Sequence, residues 1–540
     1  MRAQLLHSLR TLNFRQVDLA MEQYDFAAPM RAPHGRYAWF VIAAMIGLVD
    51  LTLFRSYGFA GPALFFPVAL ALLLRGRLQI EWRAPLITIM TLLLLLCCSM
   101  AWSGGAGQIA AAIWLVVAGN LAAQGVVPYM LETIIAMAGI IPGGYEFLHG
   151  VQLNWRRIVL DPVDHGRPSQ AMNYLLPIVS VIVFGSVFVL ANPDVIKEIS
   201  SLISSIYLQI QSWMSRFSAF EIVVWCLSFW FTGGLLCPVV RRAAEASGIL
   251  GKESEPEYVH PMFGPFRNTL MTLIGLFTVY LFFEFCTLWF RKFPEGFHYS
   301  GYAHEGSAWL TVALGLATLT LSLIFRGCMM NDQRLGALKK LAWIWSGLNF
   351  LLAASVYNRL QIYVDFNGMT RMRVVGFLGI SAVVGGFLLV LLKIMQRHKF
   401  IWLIRRQVWV LSFVIYLYIT LPVDILVHRY NVKRIMAGSP EPCVQISEHP
   451  ISIDAIPQLI PLLDCEYPII VDGVQATLRS QLQRLESIDH KSQHWTGYQF
   501  GTQHAFRALK NAESRLNMSA SDSKTLSDVE KYREFAMKWW

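Results

Sequence analysis

"FHYSGYAHEGSAWLTVALGLATLTLSLIF", residues 297–325, decides how the chain is read. Its second half is an apolar run of the kind that crosses hydrocarbon, which takes about 20 residues of helix. Its first half sets His298, Tyr299, Tyr302, His304 and Glu305 against the mouth of that run. A membrane-crossing helix that begins with so much titratable chemistry raises two questions: whether the pattern repeats, and what the polar end meets.

The pattern repeats along the chain. Of 540 residues, 55% are hydrophobic and only 15% charged, and the mean hydropathy is +0.46. Soluble domains carry about 25% charged residues, so one globular core could not hide this much apolar surface. Apolar runs recur near 37–54, 58–74, 84–102, 108–143, 172–191, 219–238, 267–290, 306–325, 338–357, 373–394 and 407–427. The alternation that marks a transmembrane barrel is missing. The expectation is an all-α integral membrane protein with about eleven transmembrane helices. The run at 108–143 is too long for one upright helix. Pro128 lies inside it and lacks a backbone donor, so it is a broken helix or two passages.

The net charge of +10 is read as topology, not as nucleic-acid binding. Arg10, Arg15, Arg31 and Arg36 precede the first run. Further basic groups follow at Arg75, Arg77 and Arg83; at Arg156, Arg157 and Arg167; at Arg241, Arg242 and Lys252. Arg326, Arg334, Lys339 and Lys340 come next, then Lys393, Arg397, Lys399, Arg405 and Arg406. These fall on alternate loops, which expects a cytoplasmic N-terminus and an extracytoplasmic C-terminal region. Arg359, Arg371 and Arg373 run against the trend. The expected organisation is a cytoplasmic segment 1–36, N-terminal transmembrane helices 37–144, a core transmembrane domain 172–428 and a small, helical polar region 429–540.

Within the core, 195–217 carries Ile199, Leu202, Ile203, Ile206, Ile210, Trp213 and Phe217 at helical spacing opposite serines and glutamines. It reads as an interfacial amphipathic helix or as a lid packed on its neighbours. In the polar region, helices are expected near 474–488 and 498–515, followed by a linker, "NMSASDSKTLSD", at 517–528. Cys443 and Cys465 lie in this region; outside the cytoplasm they could form a disulfide, and two free thiols are the alternative. The other six cysteines lie in or beside spans, where they read as small apolar packing residues.

Standard catalytic signatures such as H-E-x-x-H, the P-loop and G-x-S-x-G are missing from the sequence. What remains is polar residues at membrane depth, which are costly and therefore candidate sites. The topology puts Glu284, His298, Tyr302, His304, Glu305, Arg359, Asp365, Arg371, Asp424 and His428 at helix ends on one outer face. They form either a functional mouth or interlocking ion pairs that set loop geometry. Asn120, Gln124 and Glu132 make a second candidate, a broken-helix site, with interhelical hydrogen bonding as its structural alternative. The histidines lack compact ligand spacing, so neither a metal nor a cofactor is expected.

Several short elements resemble a known family. They are "LLPIVSVIVFGSVFVLANPDVI" at 175–196, "YAHEGSAWL" at 302–310 and "YVDFNGMTRMRVVG" at 363–376, then "DILVHRYNVKR" at 424–434, "ISIDAIPQL" at 451–459 and "HWTGYQFGTQHAFRAL" at 494–509. In this order they are similar to an uncharacterised family of bacterial polytopic membrane proteins. It is labelled domain of unknown function forty-one seventy-three, with the related forty-one fifty-three. The likeness covers roughly residues 170–515 and leaves the first four runs outside. His304 stands where that family usually has arginine. The resemblance implies a multi-pass protein of the bacterial inner membrane with no agreed activity.

Three functional readings stay open. The first is a non-enzymatic envelope sensor or partner in a membrane complex, touching the bilayer and other membrane or envelope proteins but not nucleic acid. The second is a proton-coupled secondary transporter using Glu284 or Glu132. The third is a membrane enzyme acting on a lipid-linked substrate.

Overall fold

Backbone placed in lipid must close its hydrogen bonds internally, and apolar runs without strand alternation do so as helices. The computed structural model describes residues 36–76, 83–160, 181, 193–214, 218–236, 262–286, 299–325, 329, 332–396, 398, 400–489, 494–516 and 522–539. Among these residues every regular element is helical.

The first bundle comprises α1 (Arg36–Val49, extended by a π-helical turn Asp50–Phe54), α2 (Ala60–Arg75), α3 (Ala84–Trp102), α4 (Ala106–Ala122) and α5 (Met130–Leu160). Then come α6 (Pro193–Met214), α7 (Ala219–Leu236), α8 (Phe263–Glu284) and α9 (Tyr299–Ile324). The remaining long helices are α10 (Leu335–Asn367), α11 (Arg371–Gln396) and α12 (Phe400–Thr420). Six stretches are long and apolar enough to cross a membrane: Tyr37–Phe54, Ala84–Trp102, Met130–His149, Phe263–Glu284, Arg371–Gln396 and Phe400–Thr420. Shorter apolar helices cover Ala60–Arg75, Ala106–Ala122, Phe220–Leu236 and Trp309–Ile324. Several apolar helices can therefore span a bilayer, and the expected eleven are not all established. The run at 172–191 lies outside the described residues, Val181 apart.

One boundary left open by the sequence reading is resolved and two others are moved. The run at 108–143 is two helices: α4 stops at Ala122, Gly125 turns the chain with φ +80°, and α5 begins at Met130. The run at 407–427 ends at Thr420, because Pro422 cannot donate into a continuing helix; Asp424 and His428 belong to the next element. Tyr299, Tyr302, His304 and Glu305, which precede the 306–325 run, already lie in α9, which begins at Tyr299.

Leu73, Leu86, Leu93, Leu96 and Met100 pack the interior between α1, α2, α3, α4 and α7. Leu270, Leu321, Trp345, Phe387 and Val390 do the same for α8–α12. Outward residues such as Leu94, Leu95, Phe282, Trp309 and Leu411 are exposed, as lipid-facing surface requires. All described side chains of α6 are exposed, including Ile203, Ile206, Tyr207 and Leu208, so the lid alternative finds no packing among the described residues.

The polar region folds around its own core. It comprises α13 (Val423–Met436), α14 (Cys443–Glu448), a 3-10 run Ile453–Asp464, α15 (Pro468–Asp489), α16 (Phe500–Asn511) and α17 (Asp522–Ala536). Val432, Ile435, Leu459, Leu478, Leu482, Leu509 and Tyr532 are buried together. The expected linker at 517–528 is corrected here, since from Asp522 it is the start of α17. Tyr532 and Ala536 supply the apolar face that makes this polar-looking stretch a packed helix. This domain sits across helix ends of the bundle. The Tyr57 N–H donates to Thr496 Oγ1 (3.2 Å), Gln499 Nε2 to the Ser103 carbonyl (3.2 Å) and Asn367 Nδ2 to the Trp539 carbonyl (3.4 Å).

Candidate functional site

Glu284 ends α8 with 1% of its surface exposed. Arg359 reaches it from α10 and donates through Nε and Nη2 to both carboxylate oxygens. Ser355 Oγ (2.6 Å) and Tyr280 Oη (3.1 Å) donate as well. Arg359 lies about two helical turns before the end of α10, so the pair is enclosed between helices and not at a mouth. Every carboxylate oxygen has a donor, as a buried charge requires.

A second pair lies where α11 starts. Arg371 donates through Nε and Nη2 to the two oxygens of Asp424, and through Nη2 to the Pro450 carbonyl (3.1 Å). The Ser452 N–H also donates to Asp424 (3.0 Å). Burial alone would raise the Asp424 carboxyl, but Arg371 and Ser452 outweigh it and hold it below the usual carboxylate range. One turn along α13, burial pushes His428 down to about 4, so its ring is neutral, and its Nδ1 has no hydrogen-bond partner. A third group is Asp365, which accepts from Tyr430 Oη (3.0 Å) and Gln361 Nε2 (2.9 Å) and pairs with Arg434 (3.5 Å).

The described carboxylates of the expected polar cluster, Glu284, Asp365 and Asp424, are thus divided among separate pairs, each with an arginine of another helix. His298 lies outside the described residues. Tyr302, His304 and Glu305 are described only as positions in the first turns of α9. Among the described residues no three His, Cys, Asp or Glu side chains converge as metal ligands.

The broken-helix candidate is also bonded between helices. Asn120 Nδ2 donates to the Leu235 carbonyl of α7 (2.9 Å), and Gln124 Nε2 to the Asn120 carbonyl (3.1 Å). Glu132, on the following helix, pairs with Arg405 near the start of α12 (2.5 Å). The disulfide alternative is corrected: Cys443 and Cys465 are free thiols. Each is absorbed into packing. Cys443 is buried in the domain core, which pushes its thiol up to about 12, and Cys465 Sγ donates to the Tyr467 carbonyl (3.6 Å).

A feature the sequence reading missed lies where the polar domain meets the bundle. A cavity of about 480 Å³ is walled by the α3–α4 link, by Arg371 and Asp424, and by Asp454, Gln499 and Thr502 of the polar domain. Gly104 in that link holds φ +65°, and a Cβ there would meet the Phe59 ring at 2.3 Å, so only glycine fits. Asp454 accepts from Ser452 Oγ (2.6 Å) and Trp102 Nε1 (3.2 Å). Gln108, in the first turn of α4, is 5% exposed. Its Nε2 donates to Ser99 Oγ (2.9 Å) and the Ile419 carbonyl (3.2 Å), while its Oε1 receives no donor. The only signals in the sequence were a charge-free "SGGAG" and a glutamine inside an apolar run.

The family described as a domain of unknown function (DUF4153) matches residues 62–462, well over half of the chain. The chain belongs to the DUF4153 family. The match begins in α2, so of the first four runs only 37–54 lies outside it, where the motif resemblance left all four outside; of the two related labels that the resemblance named, the matching one is forty-one fifty-three. DUF4153 takes in the α3–α4 link, Gln108, Arg371, Asp424 and Asp454, and ends before Gln499 and Thr502. No curated protein and no solved structure matches the chain.

Proposed function

We propose that this chain is a non-enzymatic multi-pass protein of a bacterial inner membrane, a sensor or complex partner whose contact site is the junction cleft. One contrast carries the reading. Glu284, Asp424 and Glu132 are each paired with an arginine, whereas Asp454 in the cleft wall accepts, among the described residues, only from the uncharged donors Ser452 Oγ and Trp102 Nε1. A general acid or base needs a proton position open to substrate, and a carboxylate clasped by a guanidinium offers none. An occupant touches α4, the α12–α13 turn and the polar domain together, so occupancy changes how firmly that domain sits on the bundle.

The orientation is supported by charge. Arg75 closes α2, Lys393 lies in the last turn of α11, and Arg405 and Arg406 lie in the first turns of α12. The polar domain meets the opposite ends of these three helices, at Gly58, Arg371 and Val423. Basic residues tend to collect on the cytoplasmic side, and this charge distribution supports an outside polar domain.

Two measurements test the proposal. In proteoliposomes, proton-coupled flux abolished by Glu284→Gln or Glu132→Gln would refute the non-transport reading; the expected result is no such flux. A Glu466→Cys variant should be labelled by a membrane-impermeant maleimide on intact spheroplasts, and labelling only after lysis would reverse the orientation.

A further inference from the structure

We infer that α6 senses lipid packing: its apolar face enters the bilayer surface where acyl chains are loosely packed, without drawing on headgroup charge. Neither the junction cleft nor an occupant of it is involved. At about 3.6 residues per turn, Ile196, Ile199, Leu202, Ile203, Ile206 and Ile210 fall on one side of the helix. Ser200, Ser201, Ser204, Ser205, Gln209 and Ser212 fall on the other. Ile203, Ile206 and Tyr207 are exposed, so the described bundle and polar domain leave them uncovered.

Chain connectivity says what covers them. Residues 215–218 join α6 to α7, and at about 3.5 Å per residue that link reaches less than about 20 Å. α7 is an apolar helix from Phe220 to Leu236, so the end of α6 stays beside the lipid. At its other end a single residue, Asn192, separates α6 from the apolar run at 172–191. An amphipathic helix tethered this closely to apolar segments lies in the interface, with its apolar face toward the acyl chains. Glu221, in the first turn of α7, accepts from Arg55 (2.7 Å), and a Cβ on nearby Gly58 would lie 3.1 Å from Gly497. α6 therefore joins the bundle at its polar-domain end.

Charge decides the mode of insertion. Interfacial helices drawn to anionic lipid carry Lys and Arg along the polar face. Here Lys197, with Arg216 in the following link, is matched by Asp194 and Glu198, and Ser200–Met214 holds no charged residue. The serines also turn inward: Ser204 Oγ donates to the Ser201 carbonyl (2.9 Å) and Ser212 Oγ to the Gln209 carbonyl (2.8 Å). Hydroxyls spent on their own helix offer a headgroup little. Insertion then rests on the apolar face alone, and side chains as large as isoleucine and tyrosine enter only where headgroups leave gaps.

The test uses the full chain in nanodiscs, with an environment-sensitive fluorescent amino acid encoded in place of Ile203 or, separately, of Ser204. Lipid-borne nitroxide and aqueous iodide are the quenchers. The discs are dioleoyl phosphatidylcholine, dimyristoyl phosphatidylcholine, or the dioleoyl lipid with part of it replaced by dioleoyl phosphatidylglycerol. In dioleoyl discs the expected result is nitroxide quenching at 203 and iodide quenching at 204. Nitroxide quenching at 203 should be at least about threefold weaker in dimyristoyl discs and unchanged by phosphatidylglycerol or salt. With the probe at 203, Ile206→Ser should weaken it by at least about threefold, and Ser201→Lys with Ser204→Lys should make it rise with phosphatidylglycerol. These variants should keep the parent's unfolding midpoint, because the described side chains of α6 pack on no other helix. Parent quenching that rises with phosphatidylglycerol and falls with salt would overturn the inference in favour of a charge-led helix. Equal quenching in both phosphatidylcholines would overturn it in favour of a permanent anchor. A probe at 203 that neither quencher reaches would mean that protein covers the face, and iodide quenching at both positions in every disc would leave the helix in water; either result overturns it.

Discussion

Removing either half of the Glu284–Arg359 pair should cost far more than removing both. Glu284 is 1% and Arg359 5% exposed, and Ser355 and Tyr280 complete the carboxylate's donors. Glu284→Ala strands a guanidinium among apolar helices, and Arg359→Ala strands a carboxylate. Breaking a buried pair from one side costs about 3–5 kcal/mol, whereas replacing both partners by apolar residues is neutral or stabilises by about 1–4 kcal/mol. At about 1.36 kcal/mol per tenfold, each single variant shifts the folding equilibrium by roughly two to four decades. Glu284→Leu combined with Arg359→Leu should return near the parent. Unfolding of the reconstituted protein by sodium dodecyl sulfate in mixed micelles, followed by circular dichroism, measures the four corners of the cycle. The coupling should be at least about 3 kcal/mol. A double variant as unstable as the sum of the singles would show that the two side chains do not act as a pair. Single variants that lose under about 1 kcal/mol would show a solvated pair, of the kind that contributes little.

His428 should make stability fall as the pH drops from about 6.5 to about 4, because the unfolded chain takes the proton first. That gap corresponds to roughly 3 kcal/mol. The charged and titratable groups facing His428 are Asp424, Arg371 and His449; Asp424, held low, adds its own loss only below about 3.8. Denaturant midpoints between pH 4 and 7 should slope in the parent and flatten in His428→Gln, and equal slopes would rule the histidine out. Gly368→Ala should lower the unfolding midpoint by an amount worth about 1–3 kcal/mol. The residue holds φ +84°, and a Cβ there meets Asn431 Oδ1 and Pro442 Cβ at 2.8 Å, so an unchanged midpoint would contradict this backbone. Cys443 and Cys465 should both titrate as free thiols after unfolding without reductant, and an intact-mass difference of one disulfide would contradict their separate packing.

What the sequence made legible and what it hid divide along physical lines. Hydropathy adds along a chain, so α1, α3, α8 and α11 could be read locally, and Pro128 marked the break between α4 and α5. Pairing does not add along a chain. Glu284 and Arg359 are 75 residues apart, and Arg371 and Asp424 53 apart. Charge alternation put all four on one face, but only packing decides whether charges at a helix end face water or each other. The polar region misled for a related reason: "NMSASDSKTLSD" reads as solvated until Tyr532, ten residues beyond Asp522, is seen to fill the core. Gln108 is the extreme case. As a residue type it is one polar side chain in an apolar helix, and interhelical bonding accounts for most of those. Its meaning depends on which end of the amide is satisfied. Ser99 and Ile419 take its donors, and nothing reaches its acceptor. The cleft was hidden for the same reason: its wall joins the α3–α4 link, Arg371, the α12–α13 turn and the polar domain, stretches far apart in sequence that only packing brings together.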